Sequence, residues 1–291
     1  MVASTELLGC DFSSSPTARK NIVLAWGRMA GGQVVLQRLE RLSSLAAFAA
    51  VLAQPRSWVG GFDLPFGLPR ELVVSLGWPL EWAACIRHFA SLERAQIRSL
   101  FAAFCDARPV GGKFAHRACD ALAGSSPSMK WVNPPVAYML HAGVPLLLEA
   151  GVDFPGLHPG DPQRVALEAY PGLLAREVLD GWTPGAQGTG RRSYKSDDKA
   201  KQTPQRLAAR TDLVNALEAG QGVHGPLRLG SPLQLTAAQR SLLLADASGD
   251  ALDAVLCMLQ AAWAAQQHAA GLPRYGLPGH CDPLEGWITT V

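Results

Sequence analysis

Charge is scarce in this chain and nearly balanced. Of its 291 residues 17% are charged, and 26 Lys plus Arg against 24 Asp plus Glu leave a formal net charge of +2. The total does not announce a polyanion partner, so any contact with one has to come from where the charges sit. Long apolar runs are missing too: the densest, residues 45–53, falls far short of the ~18 that a membrane helix needs, and no membrane partner is expected. The six cysteines (Cys10, Cys85, Cys105, Cys119, Cys257 and Cys281) form no CxxC pair. The opening MVASTELLGCDF has neither a basic leader nor an apolar signal core. Both features point to a reducing, cytoplasmic location.

Several motifs are absent. GxxxxGK[ST] does not occur; residues 185–192 carry its glycines without the Lys-Ser/Thr pair and read as a flexible loop. The lack of GxGxxG after a strand removes a dinucleotide site, and the lack of GxSxG removes the anchor of an α/β-hydrolase triad. The seven His show no HExxH spacing, and His280-Cys281-Asp282 reads as a turn.

With 48% hydrophobic residues the chain can bury a sizeable core, which argues against disorder. Short apolar runs at 6–12, 21–27 and 33–38, separated by Ser/Pro and Gly turns, predict an antiparallel meander. Residues 43–54 predict a helix ended by Pro55, and 57–63 a fourth strand able to lie parallel to the first. Helices dominate 69–151, around a polar loop at 108–133. Residues 164–170 predict a fifth strand capped by Pro171-Gly172, and 183–190 the most flexible point. Helices follow at 204–220, 236–246 and 249–271, then an extended tail around Trp287. The expected architecture is a single α/β domain over 1–291, with a helical insertion at about 69–160 between the fourth and fifth strands.

Five acidic residues stand out. Asp11 and Asp63 each end an apolar strand, Glu168 lies inside VALEAY, and Asp250 and Asp253 share one face of a late helix at i, i+3 spacing. Buried carboxylates are costly unless paired or bound to a cation. Taken singly, each fits a strand-end turn or a helix first turn. Taken together, Asp11, Asp63, Asp250 and Asp253 predict a shared site for Mg²⁺ or Mn²⁺, hard cations that prefer oxygen ligands.

Basic residues cluster locally. Residues 108–131 hold Arg108, Lys113, Arg117 and Lys130 against Asp120, with His116 beside them; residues 191–212 hold seven Lys/Arg against three Asp. Lys113 and Arg117 beside Gly111-Gly112 predict a phosphate clamp, and Trp131 next to Lys130 a stacking surface for an unpaired base. A solvated loop and a helix face are the bland alternatives.

The segments GCDFSSSPTARKNIVLA, VGGFDLPFGLPRELV, PVGGKFAHRACDALAGSSPSMKWVNPPVAYMLHAGVP, ALEAYPG, RSYKSDDKAKQTPQRLAAR and GDALDAVLCMLQAAWA closely resemble domain-of-unknown-function family 429. Its members are labelled predicted RNase H-like nucleases, and the resemblance runs from residue 9 to the WITT tail. It implies an RNase H-like, five-stranded mixed sheet flanked by helices. It also implies a metal-dependent nuclease that hydrolyses nucleic-acid phosphodiesters with two Mg²⁺ or Mn²⁺ ions, leaving a 5′ phosphate and a 3′ hydroxyl. On this resemblance Asp11, Asp63 and Asp253 are metal ligands and catalytic residues, with Asp250 in support. Glu168 is a further catalytic position, with pairing to Arg176 or Lys113 as its alternative role. The substrate is DNA or RNA, and a junction-cutting member would form a homodimer.

Two other functions are open at this stage. Asp11-Phe12-Ser13-Ser14-Ser15-Pro16-Thr17 resembles a hydroxyl-rich phosphate loop, which gives Ser13 and Ser14 a substrate-binding role. The same loop suits a phosphotransferase or ATPase of the actin-like and sugar-kinase type. The third function is a catalytically inactive nucleic-acid-binding module on the same fold.

Overall fold

The computed structural model describes residues 6–186, 192–223 and 225–291. The expected flexible stretch 183–190 and the basic Arg191 therefore lie partly or wholly outside the described residues. The chain opens with three strands, β1 (Glu6–Asp11), β2 (Ile22–Ala30) and β3 (Gln33–Leu42), paired as an antiparallel meander. Helix α1 (Leu45–Leu52) starts where the Ser44 hydroxyl accepts a bond from the Ala47 amide at 3.1 Å, satisfying one of the free first-turn donors. It returns the chain to β4 (Trp58–Asp63), parallel to β1.

Five helices follow before the sheet resumes: α2 (Arg70–Ser75), α3 (Trp82–Ala90), α4 (Arg94–Asp106), α5 (Ala118–Ala123) and α6 (Val136–Glu149). Residues 80–106 break into two helices because Glu93 and Gln96 form a capping box that starts α4 anew. The expected loop at 108–133 contains α5, whose start is fixed by Asp120 accepting the Arg117 amide. Then come β5 (Val152–Asp153), β6 (Asp161–Glu168), α7 (Pro171–Asp180), α8 (Pro204–Ala219), β7 (Gln221–Gly222), β8 (Gly225–Pro226), β9 (Leu233–Gln234), α9 (Ala237–Ala245) and α10 (Asp250–Ala269). Pro171, read as a strand cap, is the first residue of α7, where its missing N–H costs nothing. The tail makes turns rather than a strand and buries Trp287, Ile288 and Thr289.

The main sheet has seven strands, not the expected five, in the order β5-β6-β4-β1-β2-β3-β9. The two extra strands are two-residue edges, too short to leave an alternating pattern in sequence. Four of the six pairings are parallel. Helices flank the sheet, and no helix among the described residues is long and apolar enough to cross a membrane.

Strand alternation sorts side chains to two faces. Leu8, Cys10, Phe12, Phe62 and Ala166 pack under the helices between β4 and β6, with Phe48, Phe89 and Val144. Leu7, Val59, Val165 and Leu167 face the other way, toward α10. On that second face β1 and β4 carry Gly9 and Gly61, which are register partners. A Cβ on Gly9 would sit 1.9 Å from the Ala254 carbonyl oxygen, and one on Gly61 would sit 2.3 Å from that of Cys257. Glycine at both positions lets the backbone of α10 lie directly on the two strands.

Candidate functional site

Two residues beyond each glycine, on the same face, are the acids. Asp11 and Asp63 end β1 and β4 as register partners. The glycine contacts fix α10 so that its first turn ends above them and brings in Asp253. One oxygen from each of Asp11, Asp63 and Asp253 lies within 4.8 Å of the others. Asp11 and Asp253 are buried and Asp63 is partly so. The α10 N-terminus favours negative charge, but three carboxylates in one spot exceed what one helix end neutralises.

Burial, and then the charge of Asp253, push the Asp63 carboxyl up to about 7. The same two causes hold Asp11 well above the usual carboxylate range. Burial also raises Asp253, against the opposing pull of Lys195. Asp253 is held on both sides: its Oδ1 accepts from the Tyr194 hydroxyl and its Oδ2 from the Lys195 ammonium. Burial is the largest single effect on Lys195 and disfavours its charge, yet Asp253, Tyr194, Asp11 and Asp63 together outweigh it and hold the ammonium well above its usual value.

Asp250 lies beside the trio rather than in it. Its Oδ1 accepts from Lys20 Nζ at 2.9 Å, and the same ammonium reaches Asp197 Oδ1 at 3.1 Å. Lys20 therefore ties the loop after β1 to the segment before α8, across the mouth of the site.

Glu168 differs from its expected role. In the ladder it pairs with Phe62, one residue out of phase with Asp63, so its side chain points to the face opposite α10. There it meets neither Arg176 nor Lys113 but Arg117, through contacts of 2.6 and 2.7 Å, and it accepts the Phe66 amide at 2.9 Å. Arg117, expected to clamp substrate phosphate, is only 2% exposed. Its five N–H groups are spent on Asp120, Glu168 and the Glu285 carbonyl. The group is a closed ion triad that anchors α5 and the C-terminal segment to the sheet.

The other expected substrate contacts are scattered. Lys113 lies exposed with Asp106 at 3.8 Å, and His116 is exposed on the loop before α5. Trp131 is partly buried and packs its ring against Phe114 and Phe101, at 5.5 and 6.3 Å between centroids. Lys130 is half-buried beside it. Ser13 and Ser14 follow Asp11 in the loop, where the Ser14 carbonyl accepts from Arg94 at 2.9 Å.

Two cavities of about 240 Å³ each reach the trio. One is polar and is bounded by Asp11, Lys20, Ser196, Ser248 and Asp250. The other is mostly apolar and begins at Asp63. Lys195 lines both. None of Ser13, Ser14, Lys113, His116, Lys130 or Trp131 lines either cavity. Lys20, Tyr194 and Lys195 carry no local signal in the sequence; Lys195 reads there as one more member of a basic run. Only the 58-residue jump that joins it to Asp253 gives it meaning.

Three converging carboxylates beside one ammonium present the all-oxygen donor chemistry that a hard cation prefers. Comparison with protein-family models, curated proteins and solved structures finds no match for this chain.

Proposed function

We propose that the chain is a divalent-cation-dependent hydrolase of nucleic-acid phosphodiesters. It would have an RNase H-like arrangement of the kind implied by its resemblance to domain-of-unknown-function family 429. The observation that carries the reading is the trio of Asp11, Asp63 and Asp253, one acid each from β1, β4 and α10, with oxygens within 4.8 Å. The donor set fits the ion. All three ligands are carboxylates, as Mg²⁺ and Mn²⁺ prefer, and among the described residues the only cation bonded to the trio is the Lys195 ammonium. The trio supplies donors for one ion. A second would draw on Asp250, which is engaged with Lys20.

When bound, the ion lowers the pKa of a water nucleophile and stabilises charge on the phosphoryl oxygens. The protein groups do the rest. Asp11, Asp63 and Asp253 hold the ion. Tyr194 fixes the orientation of Asp253 by donating to its Oδ1. Lys195 lines both cavities, where its ammonium would contact a substrate phosphate oxygen. Lys20 pairs with Asp250 at the rim.

Labelled single-stranded, duplex, hybrid and branched DNA and RNA, incubated with Mg²⁺, Mn²⁺ or EDTA, test the reading. Cutting that needs the ion and disappears in Asp11→Asn and Asp253→Asn, while both variants stay folded, is the expected result. Cutting that persists in both variants, or no cutting of any substrate by folded protein, refutes it.

A further inference from the structure

The second cavity is unlike a phosphate channel. It starts at Asp63 and Lys195 and is walled by Pro65, Pro134, Val136, Met139, Tyr170 and Ile288. Its polar groups sit together: the Ser125 and Ser126 hydroxyls, and the Asp120 and Glu168 carboxylates of the ion triad. Asp120 is fully buried, with both oxygens taken by Arg117, Ser125 and the Ser128 amide, whereas Glu168 Oε1 accepts from Arg117 alone and keeps a lone pair as an acceptor. At about 240 Å³ the cavity is smaller than the roughly 300–1,000 Å³ typical of drug-sized ligands, so it takes one ring system rather than a stretch of chain.

We propose that this cavity receives a single unpaired nucleobase, turned out of its stack, whose own phosphate lies at the Asp11–Asp63–Asp253 trio. The flat prolines and Tyr170 suit the faces of a ring, and the carboxylate and hydroxyl groups suit its polar edge. Because the acceptor left is the Glu168 carboxylate, an exocyclic amino group is welcomed and a carbonyl at the same position is repelled. Cytosine, which presents an amino group there, is therefore preferred to uracil, which presents O4 with a protonated N3 beside it. A substrate built this way has an unpaired base beside the scissile bond: a single strand, a flap or a mispaired site. The placement of the phosphate rests on the phosphodiesterase reading; the base pocket rests on the cavity alone.

Free nucleosides in EDTA test the pocket without the ion or the chemistry. Saturation-transfer NMR on the intact protein with cytidine, uridine and ribose reads which protons touch it. A ligand of this size binds with a Kd on the order of 1 mM. The expected result is transfer to the cytidine ring protons above its ribose protons, with uridine at least fivefold weaker and ribose silent. Val136→Trp and Met139→Trp fill the cavity, and whichever keeps the parent Tm should lose the transfer at least tenfold. Absent transfer, ribose contacts equal to ring contacts, uridine equal to cytidine, or transfer unchanged in a folded filled variant overturns the pocket. Should both variants unfold, the unmodified protein's pattern decides by itself. Phosphodiester cutting without nucleoside binding would sink the pocket and leave the hydrolase reading intact. Nucleoside binding without cutting would do the reverse.

Discussion

Replacing Asp63 by Asn removes one of three charges that the fold forces together, and the stability this releases depends on pH. Its carboxyl titrates near 3.8 when free and is pushed up to about 7 in the folded protein. Between those values the folded protein holds a proton that the unfolded chain has released. Stability therefore falls as pH rises through this window and is flat on either side of it. At 1.36 kcal/mol per unit, the charge on Asp63 costs about 4 kcal/mol at pH 8 but under ~2 kcal/mol at pH 5. In EDTA, Asp63→Asn should then melt higher than the parent by on the order of 10 °C at pH 8, and by half of that or less at pH 5. Scanning fluorimetry at the two pH values, with chemical denaturation as a check, reads the difference. Mn²⁺ should stabilise the parent at pH 8 and act far less on the variant, since one ligand is gone. A variant no more stable than the parent at pH 8, or a gap that stays constant with pH, would refute the claim that repulsion at the trio is strong.

Gly9→Ala should destabilise by about 2–4 kcal/mol, because its Cβ meets the Ala254 carbonyl oxygen at 1.9 Å. It should also weaken Mn²⁺ stabilisation by displacing the first turn of α10; a normal Mn²⁺ response in calorimetry would separate helix position from the site. Arg117→Met leaves Asp120 and Glu168 unpaired in the interior and should cost about 3–5 kcal/mol by urea denaturation. A loss below ~1 kcal/mol would show the triad to be dispensable. Lys195→Met removes the cation bonded to Asp253, so its Tm should fall in EDTA and recover toward the parent in Mn²⁺. Equal melting in EDTA would mean the ammonium contributes nothing to the trio.

The residues that place the trio were legible because their signals are local. Asp11 and Asp63 stand out as acids at the ends of apolar runs, and Asp250 and Asp253 as an i, i+3 pair opening a helix. Glu168 shows the same kind of signal, an acid in an apolar strand, and yet lies on the opposite face. What separates it from Asp63 is one residue of register, a quantity that belongs to strand pairing and not to either strand. Arg117 illustrates the converse: a loop arginine beside glycines looks free until the distant carboxylates that surround it are known.

By itself the sequence determined the elements with enough length to show a period: the first four strands, the sixth, and the helices α1, α6, α8, α9 and α10. It also determined which acids were awkward, since burial of charge can be argued from neighbours along the chain. The tertiary structure alone decided which acids meet, through the paired glycines that seat α10 on β1 and β4. It decided too that Lys195 and Tyr194 are their partners, and that a ring-sized cavity opens beside Asp63. These are contacts between residues far apart in sequence, fixed by register, parity and close backbone approach, and no window of neighbouring residues contains them.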